Sequence, residues 1–261
     1  MRPPIRSARV QMPPFYSDQE RSDAERTERS ARLVEAGSFA EAERELIPIY
    51  DRRPAHYELE GPLPSDQHQK LTQSAAGGYF QEAQPAVILG VKCWTKRPFE
   101  HYVQWHNSDG RSRSCLWFPS AYPRACFLRA VIAVEQERWS AACEFLEAGV
   151  SLEPTNPNFV LEQAALRRLI GPREAALGLL ASLTEVSAHV SPRDLGGAGI
   201  AIASALIDEG TLELAEEYLM LALGRCNDLL DSVRLEMQQI AALRAGASAT
   251  RATLRLWRSD S

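Results

Sequence analysis

Cys93, His101, His106 and Cys115 form a Cys-x7-His-x4-His-x8-Cys series, and all four side chains are of types that ligate zinc. A turn that brought them together would make a metal-binding or enzymatic element. The spacing matches no standard finger, whose knuckle keeps paired cysteines two to four residues apart. Buried cysteines and surface histidines are the plainer reading.

Other chemistry is thinner. Gly196-Gly197-Ala198-Gly199 has the look of a phosphate-binding turn, but no apolar strand precedes it and the third glycine of the dinucleotide pattern is missing. Pro192 before it, with Ile200, Ile202 and Leu206 after it, suits a helix start whose small residues let a neighbour approach. The chain has no GxxxxGK[ST], HExxH or GxSxG. We therefore expect no catalytic residues, no cofactor and no enzymatic activity. Trp94, Phe99, Tyr102, Trp105, Trp117, Phe118 and Tyr122 crowd the same stretch as the cysteines and histidines. Such a cluster builds either the core of an inserted element or a contact surface, with Trp94, Tyr102, Trp105 and Trp117 as the contact candidates.

Composition limits the partners. Charged residues make up 24% and hydrophobic residues 45% of 261, the balance of a folded globular chain. A net charge of -5 argues against affinity drawn from nucleic-acid phosphates. No stretch approaches the roughly 20 apolar residues of a membrane helix, and Met1 to Arg6 carries early positive charge with no apolar core behind it. The five cysteines contain no CxxC pair, which fits a reduced, cytoplasmic protein. Arg244, Arg251, Arg255 and Arg258 give a modestly basic end, as helix C-termini favour.

The elements that would position these residues are helices. A turn followed by a helix start recurs as Gly37-Ser38-Phe39-Ala40-Glu41-Ala42, Gly78-Tyr79-Phe80-Gln81-Glu82-Ala83 and Glu137-Arg138-Trp139-Ser140-Ala141-Ala142. Weaker copies are Gly171-Pro172-Arg173-Glu174-Ala175-Ala176 and Gly210-Thr211-Leu212-Glu213-Leu214-Ala215. Glycine can reverse the chain, a bulky residue plugs the new hairpin, and alanine three residues on lets the helices close. One hairpin cannot bury its apolar face alone, whereas stacked neighbours can.

These copies resemble the tetratricopeptide repeat family. The clearest runs from about Pro123 to Pro154, with Ala130 at the small position of the first helix, Trp139 at the turn aromatic and Ala142 at the close-packing alanine. Leu152-Glu153-Pro154-Thr155-Asn156-Pro157 resembles the ending between repeats. Ala142 to Ala176 and Ala130 to Ala164 are each 34 residues, the family period. Elsewhere the alanine spacings are 39, 41 and 59 residues, which require insertions.

The resemblance implies an all-α, right-handed α-solenoid of helical hairpins. The expected organisation is a flexible arm over 1–18, helical repeats over 19–92, an aromatic-rich insertion over 93–120, the best-matched repeats over 121–225 and a capping helix and tail over 226–261. Two structures remain open for the insertion: a β-hairpin of His101 to His106 and Arg111 to Phe118 around Asp109-Gly110, or an irregular helix pair.

In this family the first helices of the hairpins line a groove that holds a peptide or helix of another protein. The resemblance puts Arg124, Phe127, Val131, Asn158, Leu161, Ala165, Arg168 and Ser204 on or near it, with Arg124 and Arg168 placed to meet a partner's carboxylates. The expected role is that of an adaptor, scaffold or chaperone-like protein, with no nucleic-acid or membrane partner and a second copy of the chain as a further candidate. The alternative is a metal-binding or enzymatic insertion around Cys93 to Cys115.

Overall fold

The computed structural model describes residues 15–63, 89–108, 114–171, 173–183 and 185–244. Its elements in chain order are α1 (Asp18–Glu35), α2 (Phe39–Asp51), β1 (Glu60–Pro62), β2 (Leu89–Cys93), α3 (Lys96–Asn107), β3 (Cys115–Pro119), α4 (Tyr122–Glu135), α5 (Trp139–Leu152), α6 (Pro157–Ile170), α7 (Arg173–Ala181), α8 (Pro192–Asp208), α9 (Leu212–Arg225) and α10 (Leu230–Arg244). The protein is mostly helical, with one small sheet.

Local sequence sets the helix ends. Ser17 accepts the Glu20 N–H at the start of α1, and Asn156 does the same for Asn158 at the start of α6. Ser191 and Asp194 form a reciprocal capping box on α8, followed by Pro192 in the first turn.

Three helix junctions share one backbone design. Gly37, Glu137 and Gly210 have φ of 74°, 55° and 79°, and each follows a helix and stands two residues before the start of its partner. At each, the next N–H reaches back five residues: Ser38 to Leu33, Arg138 to Ala133 and Thr211 to Leu206, at 2.8, 2.8 and 2.9 Å. The left-handed residue itself donates to Val34, Val134 or Ile207. This pairing satisfies carbonyls that the helix end would otherwise orphan.

The turns fold α1 on α2, α4 on α5 and α8 on α9, and α6 pairs with α7 across a different junction, where Gly171 is extended with φ of -129° and donates to the Arg167 carbonyl. Ala42, Ala142, Ala176 and Ala215, one on each second helix, are fully buried, as are Ala130 and Ala164 on the first helices α4 and α6. Trp139 is only half-buried. Each hairpin packs on the next: α1 and α2 on α4, α5 on α6, α6 and α7 on α8, and α8 and α9 on α10. Gly196 lies in the closest approach of α8 to its neighbours, where an added Cβ would stand 2.4 Å from Leu229 and 3.2 Å from the Ala222 carbonyl. The glycine-rich stretch is thus the tight packing face of a helix.

The insertion departs from both expectations. β2 pairs antiparallel with β1 and parallel with β3, in the order β1-β2-β3. Parallel neighbours need a crossover, and α3 supplies it. His101 to His106 is therefore helix, because Phe99, Tyr102 and Val103 fall at helical spacing and pack on Val91 and Cys93. The second expected strand is shorter, at Cys115–Pro119, and Asp109-Gly110 and Arg111 to Arg113 lie outside the described residues. The sheet also extends into the stretch expected to hold only helices, since β1 and β2 precede residue 93.

The expected flexible arm ends sooner than residue 18. Phe15 and Tyr16 pack on Phe118, and the Tyr16 hydroxyl donates to the Pro119 carbonyl at 3.1 Å. The Gly78 to Ala83 copy and Arg251, Arg255 and Arg258 lie outside the described residues. No helix among the described residues is long and apolar enough to cross a membrane.

Candidate functional site

The inserted sheet is fastened to the first helices, and that fastening uses several of the residues expected in the groove. Trp94, just after β2, sets its ring 4.8 Å from Phe127 and 5.2 Å from Phe159. Its indole N–H donates to the buried Glu153 carboxylate in the α5–α6 connection. Arg124 donates to the Glu28 carboxylate and, at 3.1 Å, to the Trp94 carbonyl. Arg124 and Phe127 therefore join insertion to hairpins instead of facing an open groove.

Two other groove residues are also engaged within the chain. Arg168 on α6 donates to Ser204 and Asp208 on α8, at 3.3 and 2.9 Å, tying two first helices together. Asn158 donates to Asn156 beside the α6 cap. Leu161 packs with Ala164, Ala176 and Ala198, while Ala165 is half-buried. Val131, half-buried, lines a small depression of about 10 Å³.

That depression lies between the first helices α4 and α6. Ala130, Val131 and Val134 form one wall, Leu166 and Leu169 the other, and Leu146 of α5 the back. Leu169 is 37% exposed at its rim and Ile170 beyond it is 45% exposed. Glu162 stands four residues before Leu166 and seven before Leu169, on the same helix face. Burial alone pushes its carboxyl up to about 7. Its partial exposure leaves it reachable from solvent.

A second buried polar group holds the insertion from the other side. Lys92 on β2 lies 3.1 Å from Glu20 of α1, both nearly inaccessible, and the Tyr57 hydroxyl donates to the same carboxylate. Burial raises the Glu20 carboxyl and lowers the Lys92 ammonium, so each charge depends on the other. The ammonium also sits over the rings of Tyr57 and Phe15, at 4.4 and 4.6 Å. On the same helix, fully buried Asp23 is held by Arg52.

The zinc-type residues do not converge. Cys93 pairs in register with Pro119 and Cys115 with Leu89, a separation of four positions along parallel strands, about 13 Å. Burial pushes the Cys93 thiol up to about 12. His101 Nε2 lies 2.7 Å from the Ser187 carbonyl, and the His106 ring stacks 4.3 Å from Tyr102. Among the described residues, no three His, Cys, Asp or Glu side chains form a group that could hold a metal ion.

His106 instead joins a cluster that the sequence did not announce. Glu60 on β1 lies 3.2 Å from His189, whose ring is 5.6 Å from that of Tyr102. The hydrogen bond to His189 holds the Glu60 carboxyl below its usual range. This cluster ties β1 and α3 to the 185–191 connection, and its chain distance of over a hundred residues left no local signal.

The aromatic candidates divide. Trp94 and Tyr102 are buried, whereas Trp105 and Trp117 are exposed, with the Trp117 indole donating to the Cys93 carbonyl at 3.1 Å. A separate apolar surface carries Leu214, Met220 and Leu221 on α9 and Leu235 on α10. Comparison of the chain with family models, with curated proteins and with solved structures finds no match.

Proposed function

We propose that the chain is a protein-binding module of tetratricopeptide type, an α-solenoid of hairpins that holds a segment of another protein against its first helices. An adaptor, scaffold or chaperone-like role follows from that reading. The observation that carries it is the packing of α4, α6 and α8, the first helices of successive hairpins, side by side, with Val131 half-buried and Leu169 and Ile170 exposed around a hollow of only about 10 Å³. Exposed apolar side chains of this kind stabilise a bound segment by being removed from water.

The binding face is narrower than the resemblance implies. Arg124, Phe127, Arg168 and Ser204 hold the protein's own elements, which leaves Val131, Leu169 and Ile170 to meet a partner. Support for binding over catalysis is the lack of an activated nucleophile or a paired acid and base on this face.

The test is capture of partners from the native organism by immobilised protein. Leu169→Asp places a charge at the rim and should abolish recovery of a specific partner while leaving the melting curve unchanged. Undiminished recovery, with loss on replacing Trp105 and Trp117 by alanine, would move the site to the insertion.

A further inference from the structure

The second helix of the last hairpin, α9, buries Ala215, Leu219 and Ala222 on its inner side. Its outer side stays bare. Met220 and Leu221 are 58% and 59% exposed, more than any other large apolar side chain among the described residues, and Leu214 borders them. Charge is ordered along the same stripe: Glu217 stands one turn before Leu221 and Arg225 one turn after it. Both are exposed, and among the described residues neither has an ion pair, whereas Glu213 and Glu216 on the same helix are held by Arg244. An added Cβ at Gly224, on this stripe, meets nothing within 4 Å among the described residues. Its bare backbone serves no packing inside the chain and lets a second helix come close.

We propose that this stripe is a self-association face, on which two copies of the chain pair along α9 as an antiparallel, isologous dimer. A two-fold axis at Leu221 sets that side chain against its own copy, with Met220 beside it, and brings Glu217 of each chain opposite Arg225 of the other. The two charges are eight residues apart, about 12 Å along the helix, and equally far from the axis, so both ion pairs close together. This symmetry selects the occupant: a two-fold contact requires acid and base at equal distances on opposite sides of the apolar centre, and an unrelated partner does not. The face belongs to a second helix, so the proposal stands apart from the first-helix reading above. One 14-residue helix from each copy makes a small contact, for which a Kd on the order of 10 to 100 μM is expected.

The experiment is sedimentation equilibrium of the full chain over a concentration range spanning that Kd. The wild type should pass from monomer to dimer and no further, because an isologous contact closes on itself. Glu217→Arg alone, or Arg225→Glu alone, sets like charges together at both ends and should weaken the dimer about tenfold or more. Mixed in equal amounts, the two single variants should form a heterodimer about as tight as the wild type, since every charge then meets its opposite. The double exchange should restore the dimer in one chain. Both positions are exposed, so the variants should keep the wild-type melting curve. A wild type that stays monomeric throughout overturns the proposal and leaves the stripe to another occupant. A dimer indifferent to the reversals, or single variants that fail to rescue one another, overturns it as well.

Discussion

Lys92 and Glu20 show how a single buried pair can fix the place of an inserted element. Their contact at 3.1 Å spans from β2 to α1 and lies almost entirely out of water. Removing one partner strands the other. Lys92→Met should therefore destabilise by about 3 to 5 kcal/mol, and adding Glu20→Gln should restore much of that loss, because the uncompensated charge is then gone. Denaturant melts of the two variants check this; equal damage from the single and the double change would show that packing, not charge, is at stake.

Glu153 makes a prediction with a definite pH sign. Burial holds its carboxyl up at about 7, against the lowering hydrogen bonds of Asn156 and Trp94. The folded state thus binds a proton more tightly than the unfolded chain, whose carboxyl titrates near 4.3. The stabilisation linked to this group is complete below the unfolded value and is lost as pH rises through about 7, a change of about 3 to 4 kcal/mol. Glu153→Gln keeps an acceptor for Trp94 and removes the titration. The stability difference between wild type and variant should shift by that amount from about pH 4.5 to 7.5, and a flat difference would show Glu153 to be ordinarily solvated.

At the scale of elements, the three matching turns show that the repeat lies in backbone geometry more than in residue identity. Gly37 and Gly210 accept a positive φ without cost, whereas Glu137 adopts 55° with a side chain in place. Glu137→Gly should stabilise by about 0.5 to 1 kcal/mol, and Gly37→Ala should destabilise by a similar amount. Thermal melts that move the other way would contradict the shared turn.

These turns were legible in the sequence because glycine and buried alanine recur at local, helix-linked spacing. The inserted sheet was not. Strand pairing joins residues 60–62, 89–93 and 115–119, and only their tertiary register reveals it. The apolar residues Phe99, Tyr102 and Val103 carried a helical period that alternation with polar residues obscured. The engagement of the expected groove residues was hidden for a related reason: Arg124 and Phe127 stand on the first helix α4, and the insertion that touches them comes from about 30 residues away.

Taken whole, the molecule is a succession of helical hairpins with a small sheet seated against its earlier members. Lys92, Trp94 and Tyr16 fasten that sheet at α1, α4 and the α5–α6 connection, and His101 and His189 fasten it near residue 187. Along the described first helices, Leu169 and Ile170 are exposed beside half-buried Val131. The most direct measurement is amide hydrogen exchange on the full chain with and without a peptide selected for binding. The account predicts slowed exchange confined to α4 and α6 around Val131 and Glu162, with no change at Met220 and Leu221. Slowed exchange at α9 and α10, or only around Trp105 and Trp117, would contradict it.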